Sequence, residues 1–424
     1  MRDEFEEVYE GARAWARARG YAGQDPFDAL NSRLFQATPL RRSRLARLAW
    51  TQAFKRSPLS LRALALVPSG RNSKGTALFA LAALSRFRST RDEEHAVEAR
   101  ALLEDLLNAR VETRSGAAWG YNFDWQGRAF YAPRGTPTVV PTAFAVRALV
   151  EAAQVFGPDS EDDDDAARVL SRKYMDAARA ACEFIIEDLN RSDESKDEVC
   201  FSYTPLDRTR VFNASLLAGE ALASVGASVG KDDWVEEGLR AALYVARRQR
   251  EDGAWGYGAD SYQSWSDNFH TAFILTSLAR ILGACGCVEH EGVAERDHSG
   301  IDVNHAGAVG EMRHTLAHGY AFWRSSFFLA DGWPKYYHRA AYPADAHSAG
   351  AAVVAFAELK DTGPDALELA RRVAHWAVRE LFDRRGFFYY QRRRLYTVRT
   401  PYMRWSQGWM TYALARMLEV SGER

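Results

Sequence analysis

The sequence predicts an all-α fold, an (α/α)6 toroid of six helical hairpins with a short N-terminal helical extension, and three observations predict it. Six segments rich in Ala and other small apolar residues alternate with charged amphipathic segments. The alternation returns every about 60 to 75 residues, longer than the 33 to 47 of common open solenoid repeats. A loop mixing Gly and aromatics with Asp, His or Arg precedes most of the apolar segments.

Residues 1–38 read as one helix, a turn at Asp25 and Pro26, and a short second helix. They are expected as an extension packed against a ring that occupies 39–424. The apolar segments begin near Lys74 (GTALFALAAL), Pro141 (TAFAVRALVEAA), Phe212 (NASLLAGEALA), Asn268 (FHTAFILTSL), Ala346 (HSAGAAVVAF) and Ser406 (QGWMTYALARML). Their charged partners are expected over 41–54, 94–109, 166–189, 234–250, 310–328 and 366–381. A charged amphipathic helix shows its polar face to solvent, whereas a wholly apolar one belongs inside. The stretches 156–166 and 285–309 read as solvated insertions between helices.

Composition narrows the function classes. At 424 residues and 47% hydrophobic, the chain can bury one large core. Lys plus Arg number 55 against 56 Asp plus Glu, a net charge of -1, so no global field favours nucleic acid. Cys182, Cys200, Cys285 and Cys287 are too few for a disulfide framework, which fits a reducing compartment. The N-terminal stretch lacks an apolar signal core, and no segment reaches the roughly 18 apolar residues of a membrane span. A cytoplasmic protein is expected; homo-oligomer formation is compatible with this composition.

In a toroid the loops on one rim converge, so residues far apart in sequence meet around one cavity. The loops 119–128, 200–210, 255–270, 331–348 and 386–409 supply the candidates. Trp119, Tyr121, Tyr203, Trp255, Tyr257, Trp265, Trp333, Tyr336, Tyr402, Trp405 and Trp409 offer ring faces suited to sugars, with Asp124, Asn213, Lys335, His338 and Arg404 as polar partners. Arg404 stands out because its guanidinium fork matches a carboxylate. The run 392–394 is either part of the same anion site or a solvated hairpin.

Asp267 and Asp345 each precede a helical segment, where an Asp is either an N-cap or a catalytic carboxylate. His270 and His347 follow them at equivalent repeat positions, and a neighbouring carboxylate can orient an imidazole for proton transfer. Tyr337 is a further candidate for the proton-transfer set. Three other signals are set aside. Asp162 and Asp164–Asp165 match a DxDD acid pattern but lie in an acidic run. Cys285, Cys287 and His290 lack paired CxxC spacing, so no metal is expected. GRNSKGT at 70–76 has its Lys before the second Gly and is not a phosphate loop.

Two resemblances follow from these residues. RAALYVARRQREDGAW (240–255) resembles a QW repeat of the squalene cyclase and prenyltransferase superfamily, which implies an α/α barrel. DNFHT (267–271), GWPKYYHRAAYPADAHSAG (332–350) and PYMRWSQGWMTYAL (401–414) resemble an uncharacterised toroid family found among surface-polysaccharide and glycan assembly genes. More loosely they are similar to the toroids of uronyl C5-epimerases, polysaccharide lyases and N-acylglucosamine epimerases. The resemblance implies an oligosaccharide or polysaccharide substrate. Uronyl chemistry needs a cation for the carboxylate, a base and an acid, and Arg404 or Lys335, the two histidines and the tyrosines offer those types. An epimerase or lyase-like enzyme acting without a cofactor on an anionic saccharide is the expectation. A glycoside hydrolase using paired aspartates among Asp124, Asp207, Asp267 and Asp345, a terpenoid cyclase and a non-catalytic glycan-binding toroid are the alternatives.

Overall fold

In the computed structural model, residues 2–127, 130–158, 165–286 and 303–422 are described. The chain starts with α1 (Arg2–Arg17), the single turn α2 (Arg33–Gln36) and α3 (Arg44–Arg56). Five hairpins follow: α4 (Ser73–Thr90) with α5 (Glu93–Asn108), α6 (Val139–Val155) with α7 (Asp165–Glu187), α8 (Phe212–Val229) with α9 (Asp232–Ala246), α10 (Asn268–Ala284) with α11 (Val303–Phe327), and α12 (Ala346–Glu358) with α13 (Ala366–Leu381). α14 (Trp409–Gly422) ends the chain.

The first helix of each hairpin lies inside. α6 is buried without a break from Val139 to Val150, as an Ala-rich and almost wholly apolar sequence allows, its one charge in that stretch, Arg147, being paired with Glu220. α13 instead buries one stripe, Leu369, Ala370, Val373, Ala374 and Ala377. The inner helices neighbour one another in the order α4, α6, α8, α10, α12, α14, and α14 packs back on α4. The ring is closed, as an (α/α)6 toroid requires.

One hairpin is built differently from the sequence expectation. α3 does not serve as the outer partner of α4; it packs on the turns Asp28–Asn31 and Pro39–Arg42 and on the 125–126 strand. The sixth outer position is held by α1, which packs against α14 and ties itself to α5 through Arg13, 2.5 Å from Glu98. Glycines at the ends of outer helices show why. Gly253, Gly332 and Gly386 share φ values of 85°, 87° and 88°. A Cβ on each would collide with the backbone of the next outer helix: His318 of α11, Arg372 of α13 and Gly11 of α1. The third of these steps is the same as the first two, so α1 stands where an outer helix belongs although it is first in sequence.

Short antiparallel pairs decorate the rim that precedes the inner helices. They are β1 (Val111–Glu112) with β2 (Ala117–Ala118), β3 (Trp125–Gln126) with β4 (Tyr131–Ala132), and β5 (Arg191–Glu194) with β6 (Val199–Phe201). β7 (Ala344–Asp345), β8 (Phe382–Asp383) with β9 (Phe387–Phe388), and β10 (Gln391–Arg392) with β11 (Thr397–Val398) complete them, and β10 also pairs with β7. Two-residue strands carry no alternation, so a sequence reading sees only loops. No described helix is long and apolar enough to cross a membrane. Asp162–Asp164, Cys287 and His290 lie outside the described residues, and Asp165 opens α7 in solvent.

Candidate active site

Because each inner helix is followed by an outer return, the inner helices run parallel and their N-termini meet at one mouth. The second residues of α4, α6, α8, α10 and α12 are Lys74, Val140, Asn213, Phe269 and His347, all buried. His347 stacks between Phe269 at 4.3 Å and Trp409 at 5.0 Å, with Trp405 edge-on at 4.1 Å. Neither of its ring nitrogens has a hydrogen-bond partner, and Asn213 Oδ1 is likewise unpartnered. Burial, then the charges of Lys74 and Arg404, push the His347 pKa well below its ordinary 6.5.

A neutral buried imidazole has a stability consequence. The unfolded chain takes up a proton at this position below pH 6.5 that the folded chain refuses, so the contribution of His347 falls as pH drops through that value. His347→Phe is expected to flatten the acid limb of a stability-versus-pH curve measured by urea denaturation. An unchanged slope would show that the ring is protonated in the fold.

His270 is the third residue of α10, and its Nδ1 lies 2.8 Å from Asp267 Oδ2, while Asp267 Oδ1 accepts the His270 backbone N–H at 3.1 Å. One carboxylate thus caps the helix, as the N-cap reading of Asp267 expects, and also holds the imidazole. Trp265 Nε1 also donates to it, and Tyr257, stacked on Trp265 at 4.8 Å, lies 4.7 Å from the His270 ring. Asp345 caps α12 through the Ser348 N–H at 2.8 Å and accepts from Trp405 Nε1 at 3.4 Å; burial raises its pKa. Tyr121 and Tyr203 meet hydroxyl to hydroxyl at 3.4 Å, and Tyr336 stands edge-on to Phe269 at 5.7 Å. Tyr337 is exposed beside the 267 backbone, turned to the surface.

Other candidates go elsewhere. Trp119 and Trp255, in the repeated segment AWGY, are buried in the wall, where their indole N–H groups donate to Leu106 O at 2.7 Å and Val245 O at 2.9 Å. Each closes the end of an outer helix that has spare carbonyls. Trp119→Phe and Trp255→Phe are each expected to cost about 1 kcal/mol of stability in denaturant titrations. Affinity for saccharide should stay as it is; a loss of saccharide binding with unchanged stability would return them to the mouth.

Trp333 donates to Ala341 O and packs on Trp376, Lys335 Nζ donates to His338 O, and His338 sits against Phe322 and Phe327. Tyr402 accepts from Arg62. Asp124 is held by Tyr131 and the Arg134 N–H, and Asp207 by Thr204 and Thr209, so both carboxylates are occupied within their own turns. Of the arginine run, Arg392 donates to Thr397 and Arg394 is exposed.

Arg404 is at the mouth but is not a free fork. Its Nε and Nη2 reach the two oxygens of buried Asp25 at 2.6 and 2.8 Å, within a π-helical turn (Met403–Gly408) ahead of α14. Gly75 lets α4 approach the Arg404 backbone. Asp25, Lys55, Lys74 and Phe273 complete the mouth and are not among the sequence candidates. Lys74 was legible: it holds the same repeat position as His347. Lys55 was not, because α3 reads as a wall helix and instead crosses the mouth, placing Nζ 4.3 Å above the Phe27 ring and 5.7 Å from that of Trp405. Among the described residues, no three His, Cys, Asp or Glu side chains gather as metal ligands.

No family model matches this chain, and no curated sequence matches it. Solved structures do. A possible member of the GH105 family from Salmonella enterica serovar Paratyphi A superposes with a TM-score of 0.61 at 11% identity, over 99% of this chain and 94% of that one. Cellobiose 2-epimerase from Bacillus thermoamylovorans gives 0.56 at 13% identity, over 84% and 88%. A glycosyl hydrolase family 88 protein from Bacteroides vulgatus gives 0.54 at 9% identity, over 100% and 99%. At such identities the likeness is one of fold.

Proposed function

We propose that the protein is a carbohydrate-active enzyme of epimerase or lyase type that moves a proton at C5 of a uronic acid residue in a saccharide. One observation carries the reading: His270, oriented by Asp267, and neutral His347 both pack on Phe269, with ring centroids 4.1 and 4.3 Å from it. Epimerisation needs an acceptor on one face of the carbon and a donor on the other. His347, held neutral, accepts; His270, with Nδ1 engaged by Asp267, delivers through Nε2. Trp405, Trp265 and Tyr257 supply ring faces for the sugar. The epimerase and lyase toroids among its structural neighbours agree with this class. The hydrolase alternative is weakened by Asp124 and Asp207, whose oxygens their own turns already engage. A lipid-linked or nucleotide-linked glycan intermediate in the cytoplasm is the substrate context that goes with this reading.

Proton NMR in deuterium oxide with a panel of uronic acid containing glycans tests it. Deuterium at C5 without chain cleavage is the expected result, and an unsaturated product would select the lyase branch. Release of a reducing sugar with no exchange would move the chemistry to the aspartates.

A further inference from the structure

Charge pairing at the mouth is incomplete in one direction. Arg404 is matched by Asp25, His270 meets Asp267, and Asp345 is satisfied by the start of α12 and Trp405. Two lysines remain. Lys74 Nζ, on a side chain 2% exposed, has no hydrogen-bond or ion-pair partner among the described residues. It is ringed by Phe144 at 4.1 Å, Phe273 at 4.8 Å and Trp409 at 5.2 Å. Lys55 Nζ also lacks such a partner and rests on Phe27 and Trp405.

An ammonium in an apolar ring cage gains something from the ring faces but forfeits its water. Burial accordingly lowers the pKa of both, Lys55 to about 8, with Asp345, Asp25 and Asp267 pulling the other way. A bound anion would restore what burial removes. Both lysines act electrostatically on His347, which places that unpartnered imidazole in the field of both. Trp405 and Trp409 flank His347, and each also faces one of the two ammonium groups.

We infer that Lys74, from the ring interior, and Lys55, from the helix across the mouth, form a receptor for the carboxylate of an acidic sugar, bracketing His347. The receptor rests on the proposed site and takes over the cation role that the sequence gave to Arg404 and Lys335. Holding the carboxylate there acidifies the adjacent C–H and neutralises the charge that builds on the carboxylate oxygens as His347 takes the proton. Lys55 makes recognition depend on the 21–72 segment that folds over the ring.

Binding, read by calorimetry and by the fluorescence of Trp405 and Trp409, separates this inference from the catalytic one. The probes are methyl glucuronoside, methyl glucoside and glucose 1-phosphate on the full chain. Glucuronoside is expected to bind at least tenfold tighter than glucoside, and Lys74→Met and Lys55→Met should each erase that difference while leaving glucoside affinity as it was. Should Lys74→Met fail to fold, Lys55→Met on a half-buried surface helix carries the test. Equal affinity for glucuronoside and glucoside, or a preference that survives Lys55→Met, would overturn the receptor; tighter binding of glucose 1-phosphate would overturn its assignment to a carboxylate. Lysine-dependent glucuronoside binding with no deuterium exchange on any glycan would sink the epimerase reading alone. Exchange without that lysine dependence would sink the receptor alone.

Discussion

His347→Gln is expected to slow deuterium entry at C5 by about 10² to 10⁴-fold, the range for losing a positioned acid or base. His270→Gln should do the same, but from the other side. In a two-base arrangement each histidine removes the proton from one epimer, so each variant should show that slowing from one epimer and spare solvent exchange of the other. Glutamine keeps the volume roughly and can hydrogen-bond but not shuttle a proton at neutral pH. Asp267→Asn should follow His270→Gln in direction, because it removes the carboxylate 2.8 Å from Nδ1 that fixes the tautomer. The cap is retained by asparagine, so fold stability should change little. NMR exchange rates measured separately from each pure epimer decide the matter. Wild-type rates in both histidine variants would remove them from the chemistry, and equal loss from both epimers in each would replace two bases with one.

Glu220→Ala is expected to destabilise the fold by about 3 to 5 kcal/mol, the usual cost of stranding a buried charge. The far end of the ring axis, below Phe144 and Phe273, carries a layer of ion pairs. Arg147 reaches Glu220 through Nε at 2.9 Å and Nη2 at 2.8 Å, Ser277 donates to the same carboxylate, and Arg280 is paired with Glu358 at 2.7 and 3.0 Å. Arg147 is 6% exposed and Glu220 4%, so the pair itself is largely withdrawn from solvent, although both side chains line a cavity of about 270 Å³. Removing both, as Arg147→Met with Glu220→Leu, should cost much less, since two well-packed apolar chains leave no stranded charge. Guanidinium titrations of the single and double variants give the comparison. If the double variant were as unstable as the single one, the pair would be contributing net stability by itself. A single variant within 1 kcal/mol of the parent would mean that the layer is hydrated.

The inner helices were legible because position in a closed ring imposes composition. A helix packed on every side must be apolar all round, so GTALFALAAL, NASLLAGEALA and HSAGAAVVAF show their place without reference to anything else. Asp267, Asp345, His270 and His347 could be found for a related reason: helix starts favour a capping Asp, and the following residues point to the mouth. The repeat also mislabelled some residues. Trp119 and Trp255 share their motif because each closes an outer helix, a local hydrogen bond that looks in sequence like a lined groove.

What the sequence by itself determined is the set of properties that repeat: six apolar helices, the loops that precede them and the two capped histidine positions. Only the tertiary structure decided which charges stay unpaired, because pairing depends on contacts between residues far apart in the chain. Arg404 is neutralised by a residue 379 positions away, and α1, first in sequence, fills the outer place beside α14. α3 reads as a wall helix and lies across the mouth, bringing Lys55 over Phe27 and Trp405. Local pattern records how much of a helix is covered; it carries no information about which distant segment does the covering, and here that segment decides the charge of the site.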